Sequence, residues 1–196
     1  MAHRTRSEMI AETRAKLMAA GRKAFAELGY ADASMDDFTS GAGLTRGALY
    51  HHFGDKKGLF EAVLSEIDAE MTARIDKLLA EATTPWEAFI VYGTGYIEMA
   101  LEPEIRQVLL RDGPAVLGDP ASWPTTNTCI MTLSGMIDGL MAAGTIRKVD
   151  AEATARMLTG ASCYAATWIA NADDPETVLP RATAGYRDLA EGLLKA

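Results

Sequence analysis

A chain of 196 residues, 48% of them hydrophobic, can bury a sizeable core, as one globular domain or a small domain joined to a larger one. Its formal net charge of -8 argues against nucleic acid only until it is divided: through Lys57 there are nine Lys or Arg against seven Asp or Glu, and beyond it ten against twenty. The acidic excess therefore excludes phosphate as a partner of the second part, not of the first.

The first ten residues are polar and charged, unlike a secretory leader. His3, Arg4 and Arg6 lie ahead of the first strongly periodic segment. They form either an arm able to reach a flanking phosphate or the minor groove, or an unstructured terminus. Thr5 and Glu8 have the spacing of a capping box, which would start the first helix early. That helix runs through Leu17, Ala20, Gly21, Ala24, Phe25 and Leu28 and stops at Gly29. Ser34 is a suitable N-cap for a second, with Met35, Phe38 and Ala42 at helical spacing. Gly43 can take the positive φ that ends one helix and aims the next. Thr45 caps a third, whose buried side carries Leu49 and Phe53.

Asp55 caps a long fourth helix that carries Leu59, Phe60, Val63, Leu64, Ile67, Met71, Ile75, Leu78 and Leu79. Pro85 opens a helix with Trp86, Phe89, Ile90, Tyr96 and Met99, and Pro103 closes it. One further helix is expected from Glu104 to Leu117, then a loop from Gly118 to Pro124, then a helix from Thr125 to Ala143 ending at Gly144. Asp150 caps the next, to Ala170, and Asn171 to Pro175 separates it from a last helix ending near Leu194. No strand alternation and no repeat occurs. The spacing thus predicts an all-α chain of about nine helices in two parts, residues 1–57 and 58–196.

Cys129 and Cys163 lack a C-x-x-C spacing and a neighbouring His, so they read as buried thiols in a reducing compartment, not metal ligands. No apolar run reaches the roughly 18 to 20 residues needed to span a bilayer. Gly41, Gly43 and Gly47 have the wrong spacing for a dinucleotide fingerprint, and no strand precedes them. Neither G-x-S-x-G, H-E-x-x-H nor a P-loop is present, so no catalytic residue, metal or cofactor is assigned. A soluble cytoplasmic protein is expected.

The two helices meeting at Gly43 form a helix-turn-helix. The run from Ala42 to Phe53, AGLTRGALYHHF, followed by Asp55-Lys56-Lys57-Gly58-Leu59, closely resembles the DNA-binding signature of TetR-type, tetracycline-repressor-like, regulators. The likeness spans about Thr13 to Leu64. It continues more weakly at Arg106 to Gly118 and at Ala142 to Ala161. It implies an N-terminal DNA-binding part and a helical effector-binding and dimerisation part. Relatives usually hold a further aromatic and arginine after the DGPAVLG run, which this chain lacks, so no effector identity carries over.

On the recognition helix, Arg46 can place two donors on a guanine edge or instead meet a phosphate. Gly47 and Ala48 permit close approach, and Thr45, Tyr50 and His52 match positions that contact backbone or bases in the family. Lys56 opens the fourth helix where a phosphate would meet both its charge and the helix dipole. His51 either joins this set or packs against the first helix, and Ser34 and Met35 complete it.

In the second part, Trp86, Phe89, Tyr92, Tyr96, Met99, Trp123, Met131, Met136 and Trp168 offer surface for a small hydrophobic effector or serve as ordinary core. Asp112 can orient a polar ligand group or act as a cap. Leu158, Ala161, Ala165, Trp168 and Ile169 form one stripe, and Ala182, Tyr186, Leu189 and Leu193 another. The resemblance makes these a homodimer interface, although a monomer core needs the same stripes. The reading is a ligand-responsive regulator, more a repressor than an activator, bound to a palindromic duplex operator. The alternatives are a small-molecule-binding protein with a vestigial helix-turn-helix and, last, an enzyme.

Overall fold

Thr5 accepts a hydrogen bond from the Glu8 N–H at 3.3 Å, and the Glu8 carboxylate accepts one from the Thr5 N–H at 2.7 Å. This reciprocal box satisfies two amides that a helix start leaves free. In the computed structural model, which describes residues 5–195, helix α1 accordingly runs Arg6–Asp32. His3 and Arg4 of the expected arm lie outside the described residues. Gly29 interrupts α1 at φ +76°, so the regular helix ends where the sequence predicts.

Helices α2 (Met35–Gly41), α3 (Arg46–Phe53) and α4 (Lys56–Glu81) follow. Phe25 sits at their centre, fully buried, edge-on to Phe60 at 5.2 Å and Phe38 at 6.1 Å and stacked on Tyr30 at 5.9 Å. Each such side chain contributes about 1.5–3 kcal/mol by leaving water. At Gly21 a Cβ would stand 2.7 Å from Leu59, so α1 and α4 cross closely there. Helix α4, about 39 Å long at 1.5 Å per residue, belongs to both parts. The expected division at 57/58 falls within its first turn.

Beyond it come α5 (Pro85–Met99), a π-helical segment (Ile105–Asp112), α6 (Gly113–Leu117), a 3-10 turn (Pro120–Ser122), α7 (Pro124–Ala142), α8 (Ala151–Ala170) and α9 (Pro175–Glu191). Helix α5 is central, packing on α4, α7, α8 and α9. The single helix expected from Glu104 to Leu117 is instead divided. Pro114 has no N–H to donate, and the Gly113 N–H reaches back five residues to the Val108 carbonyl. An antiparallel bridge between Ile146 and Leu194 ties Leu194 to the segment after α7.

The stripes expected on α8 and α9, as a dimer interface or as a monomer's own core, largely pack inward. Leu158, Ala165, Ile169, Ala182, Tyr186 and Leu193 are buried within the chain itself, and Ala161 is half-buried. Of the nine residues named for the two stripes, Trp168 and Leu189 are exposed, at 38% and 60%. The apolar side chains of these helices that face outward are Met157, Tyr164 and Trp168 on α8 and Leu189 on α9.

Candidate nucleic-acid interface and ligand cavity

Three local devices fix the recognition helix. Gly43 at φ +68° turns the chain, and the Leu44 N–H closes the turn on the Thr39 carbonyl at 2.8 Å. The Thr45 hydroxyl caps α3 by accepting from the Ala48 N–H at 3.2 Å. Leu49 is fully buried, and the guanidinium of Arg14 lies 5.1 Å above the ring of half-buried Phe53. With that face docked, Arg46, Gly47, Tyr50 and His51 are left exposed, while Ala48 and His52 are half-buried. The His51 and His52 rings meet edge-on at 5.3 Å.

Arg46 is engaged. It donates from Nη2 to Asp36 Oδ2 at 2.6 Å, and Nε lies against the other carboxylate oxygen. Both side chains are more than half exposed, so the pair itself contributes at most about 1 kcal/mol. Its consequence is electrostatic competition: a phosphate or base must draw Arg46 from Asp36. Lys56 also points home. Its Nζ lies 4.6 Å from the Tyr30 ring centroid and donates to the Ala31 carbonyl at 3.4 Å, and burial pushes its pKa down. The exposed cation of that turn is Lys57. Ser34 caps α2 by accepting from the Asp37 N–H at 3.4 Å, and Met35 packs against the core.

A cavity of about 240 Å³ opens among α4, α5, α7, α8 and α9 and the loop before α7. Of the residues expected at an effector, Tyr92, Tyr96 and Trp123 line it. Phe89 and Met99 are buried in the core away from it, and Trp86 lies beside Phe89 at 5.4 Å. Met131 is 75% exposed, Met136 is packed elsewhere, and Trp168 lies on the outer face beneath Arg181 at 5.2 Å. Asp112 serves another purpose, accepting from the Tyr30 N–H at 2.7 Å and from Gln107 Nε2 at 3.0 Å.

Residues not expected at an effector also line the cavity: Asp68, Thr72 and Asp76 on α4, Thr126, Cys129 and Thr132 on α7, Ser162 and Cys163 on α8, and Tyr186 on α9, expected instead in a dimer stripe. The polar stripe of α4 reads as a solvated face when its neighbours are unknown. The run of threonines after Trp123 was the signal available. Burial pushes up the Asp68 carboxyl, both thiols and both tyrosine hydroxyls, Tyr92 and Tyr96. Among the described residues no group of His, Cys, Asp and Glu side chains is arranged to hold a metal, and no helix is long and apolar enough to cross a membrane.

The π-helical segment joins this cavity to the helix-turn-helix. Leu109 lines the cavity, and Asp112, three residues on, holds the end of α1. Just before the segment, Glu104 grips Arg22 of α1 at 2.7 and 2.8 Å, while Glu70 of α4 takes the same guanidinium at 2.7 Å.

Residues 17–63 match the family described as bacterial regulatory proteins, tetR family, and residues 86–193 match the tetracyclin repressor-like C-terminal domain. The crystal structure of a TetR-family transcriptional regulator from Pectobacterium atrosepticum is 46% identical, covers 98% of this chain and 99% of its own, and superposes with a TM-score of 0.87. A structure describing control of antibiotic production by bacterial hormones is 26% identical over 94% of this chain and 98% of its own, with a TM-score of 0.73. The HTH-type transcriptional repressor AcnR of Corynebacterium glutamicum is 41% identical over 59 residues, 30% of this chain. The match spans 31% of that repressor and 35% of its Corynebacterium efficiens counterpart, about a third of these curated relatives.

Proposed function

The chain belongs to the tetR family of bacterial regulatory proteins, and from that premise we propose that it is a homodimeric repressor, released from a palindromic operator when a small molecule fills the cavity beside α4. The observation that carries the DNA half is the docking of α3 by Leu49 and Phe53, which turns Arg46, Gly47 and Tyr50 outward together. The N-terminal residues of such a helix meet base edges in the major groove. Lys57 and Tyr50 are placed for phosphates, and Lys56 joins them once it leaves Tyr30. Such a protein works in the cytoplasm, where the chromosome is.

Two recognition helices must meet half-sites about 34 Å apart, so a fixed dimer is part of the mechanism. The outward apolar face of Met157, Tyr164, Trp168 and Leu189 supports α8 and α9 as the place of pairing. Release requires a ligand with different affinity for the DNA-bound and free arrangements. The π-helical segment is the suited element, since it lines the cavity through Leu109 and holds α1 through Asp112.

The deciding experiment is selection of bound duplexes from random DNA, with affinity followed against salt for the protein and for Arg46→Ala. Recovery of a palindrome whose binding weakens with the mutation and with salt supports the operator. Enrichment of no sequence overturns it.

A further inference from the structure

Asp68 and Asp76 stand about two turns apart on α4, with Thr72 between them, and all three line the cavity. No Lys, Arg or His belongs to that lining. Among the described residues neither carboxylate has a cationic partner. The aromatic members of the wall are Tyr92 and Tyr96 of α5, Trp123, and Tyr186 of α9. Two further groups at the wall, the Trp123 indole N–H and the hydroxyl of Tyr186, which is 2% exposed, lack a well-formed hydrogen bond, with Ser162 beside the latter. Unpartnered buried polar groups are costly: the Tyr186 oxygen can accept from a protonated amine, whereas the indole N–H, a donor only, needs an acceptor on the body of a ligand.

The charge of the wall discriminates among ligands. An anion would meet two carboxylates and no counter-charge. A hydrocarbon would exclude water from Asp68 and return nothing for its lost hydration. A cation repays that desolvation and gains from the negative faces of aromatic rings.

We propose that the cavity selects an organic cation, a protonated amine or quaternary ammonium on an aromatic or apolar body, with Asp68 and Asp76 as its counter-charges. This rests on the reading of the cavity as the effector site. Burial already raises the Asp68 carboxyl. An arriving cation lowers it again, so binding releases protons at pH values near that raised value.

The test uses the full-length protein and three probes of similar shape: phenyltrimethylammonium, its neutral isostere tert-butylbenzene, and benzenesulfonate. Binding is read by quenching of tryptophan fluorescence and by calorimetry. The expected result is that the cation binds at least about tenfold more tightly than the neutral isostere. Asp68→Asn and Asp76→Asn each reduce that preference while the neutral probe binds at least as tightly as before, which also shows the cavity intact. Equal or tighter binding of the neutral or anionic probe overturns the cation proposal and leaves the effector site standing. Binding of none of the three overturns both. The preference in the unmutated protein decides the matter even if a variant fails to fold.

Discussion

The carboxylate of Asp112 accepts the backbone N–H of Tyr30 at 2.7 Å, across 82 residues of sequence. The donor lies immediately after Gly29, the positive-φ break in α1, and the acceptor ends the π-helical segment. One hydrogen bond therefore fastens the DNA-binding part to the segment that lines the cavity.

Asp112→Ala leaves that N–H, and the Gln107 amide, without their acceptor. A loss of about 1–3 kcal/mol is expected, together with a weaker effect of ligand on operator affinity. Asp112→Asn keeps an oxygen in place and should recover most of the stability. Urea unfolding and operator titrations with and without ligand check both. Unaltered ligand response in Asp112→Ala would remove this contact from the switch.

Asp36 competes with DNA for Arg46. Asp36→Asn removes the competing charge and one repulsion from the phosphates, so operator affinity should rise by about three- to tenfold at low salt, the gain shrinking as salt screens it. Fluorescence anisotropy on the selected operator reads this directly. Weaker binding would mean instead that Asp36 aims the guanidinium at its base.

Asp68 binds its proton more tightly in the folded chain than in the unfolded one. The resulting penalty on folding is absent below the ordinary carboxylate range, grows as pH rises through it, and is complete above the raised folded value. Asp76, Tyr92, Tyr96, Cys129 and Cys163 share the cavity wall, and none of them is cationic. Asp68→Asn should accordingly raise Tm by about 1–3 °C at pH 7, with the difference gone near about pH 3, below the ordinary carboxylate range. A lower Tm at pH 7 would identify Asp68 as a structural acceptor.

The outward face of α8 and α9 predicts the mutations that separate a dimer from a folded monomer. Tyr164→Glu and Leu189→Arg place charges on exposed positions and should yield helical monomers by sedimentation. Ile169→Ala, which hollows the chain's own core, should cost about 2–5 kcal/mol in folding. Retention of a dimer in Tyr164→Glu combined with Leu189→Arg would move the interface elsewhere.

Phe25 of α1 ties α1 and α2 to α4 through its contacts with Phe60, Phe38 and Tyr30. Phe25→Ala should destabilise the chain by about 3–5 kcal/mol and abolish operator binding without touching an exposed residue. Denaturant titration beside the anisotropy measurement tests this. Full operator affinity in a destabilised variant would show that α3 is positioned without the aromatic cluster.

Local chemistry was legible in the sequence because it acts over a few residues. Caps at Thr5, Ser34, Thr45, Asp55 and Asp150, the breaks at Gly29, Gly43 and Gly144, and the buried Leu49 all follow from hydrogen-bond needs and helical spacing within one or two turns. The family signature lies in the same short range, and the fold class came with it. Tertiary structure decided what spacing leaves degenerate. A stripe such as Leu158, Ala165 and Ile169 is apolar whether it meets its own chain or a second copy, and only packing showed that α9 and α5 cover it. Asp68 and Asp76 are ordinary surface residues on an isolated α4. Asp68 becomes a half-buried charge of the cavity because α5, α7 and α8 close around it, while Asp76 lines the same cavity and stays exposed; burial is a property of neighbours distant in sequence.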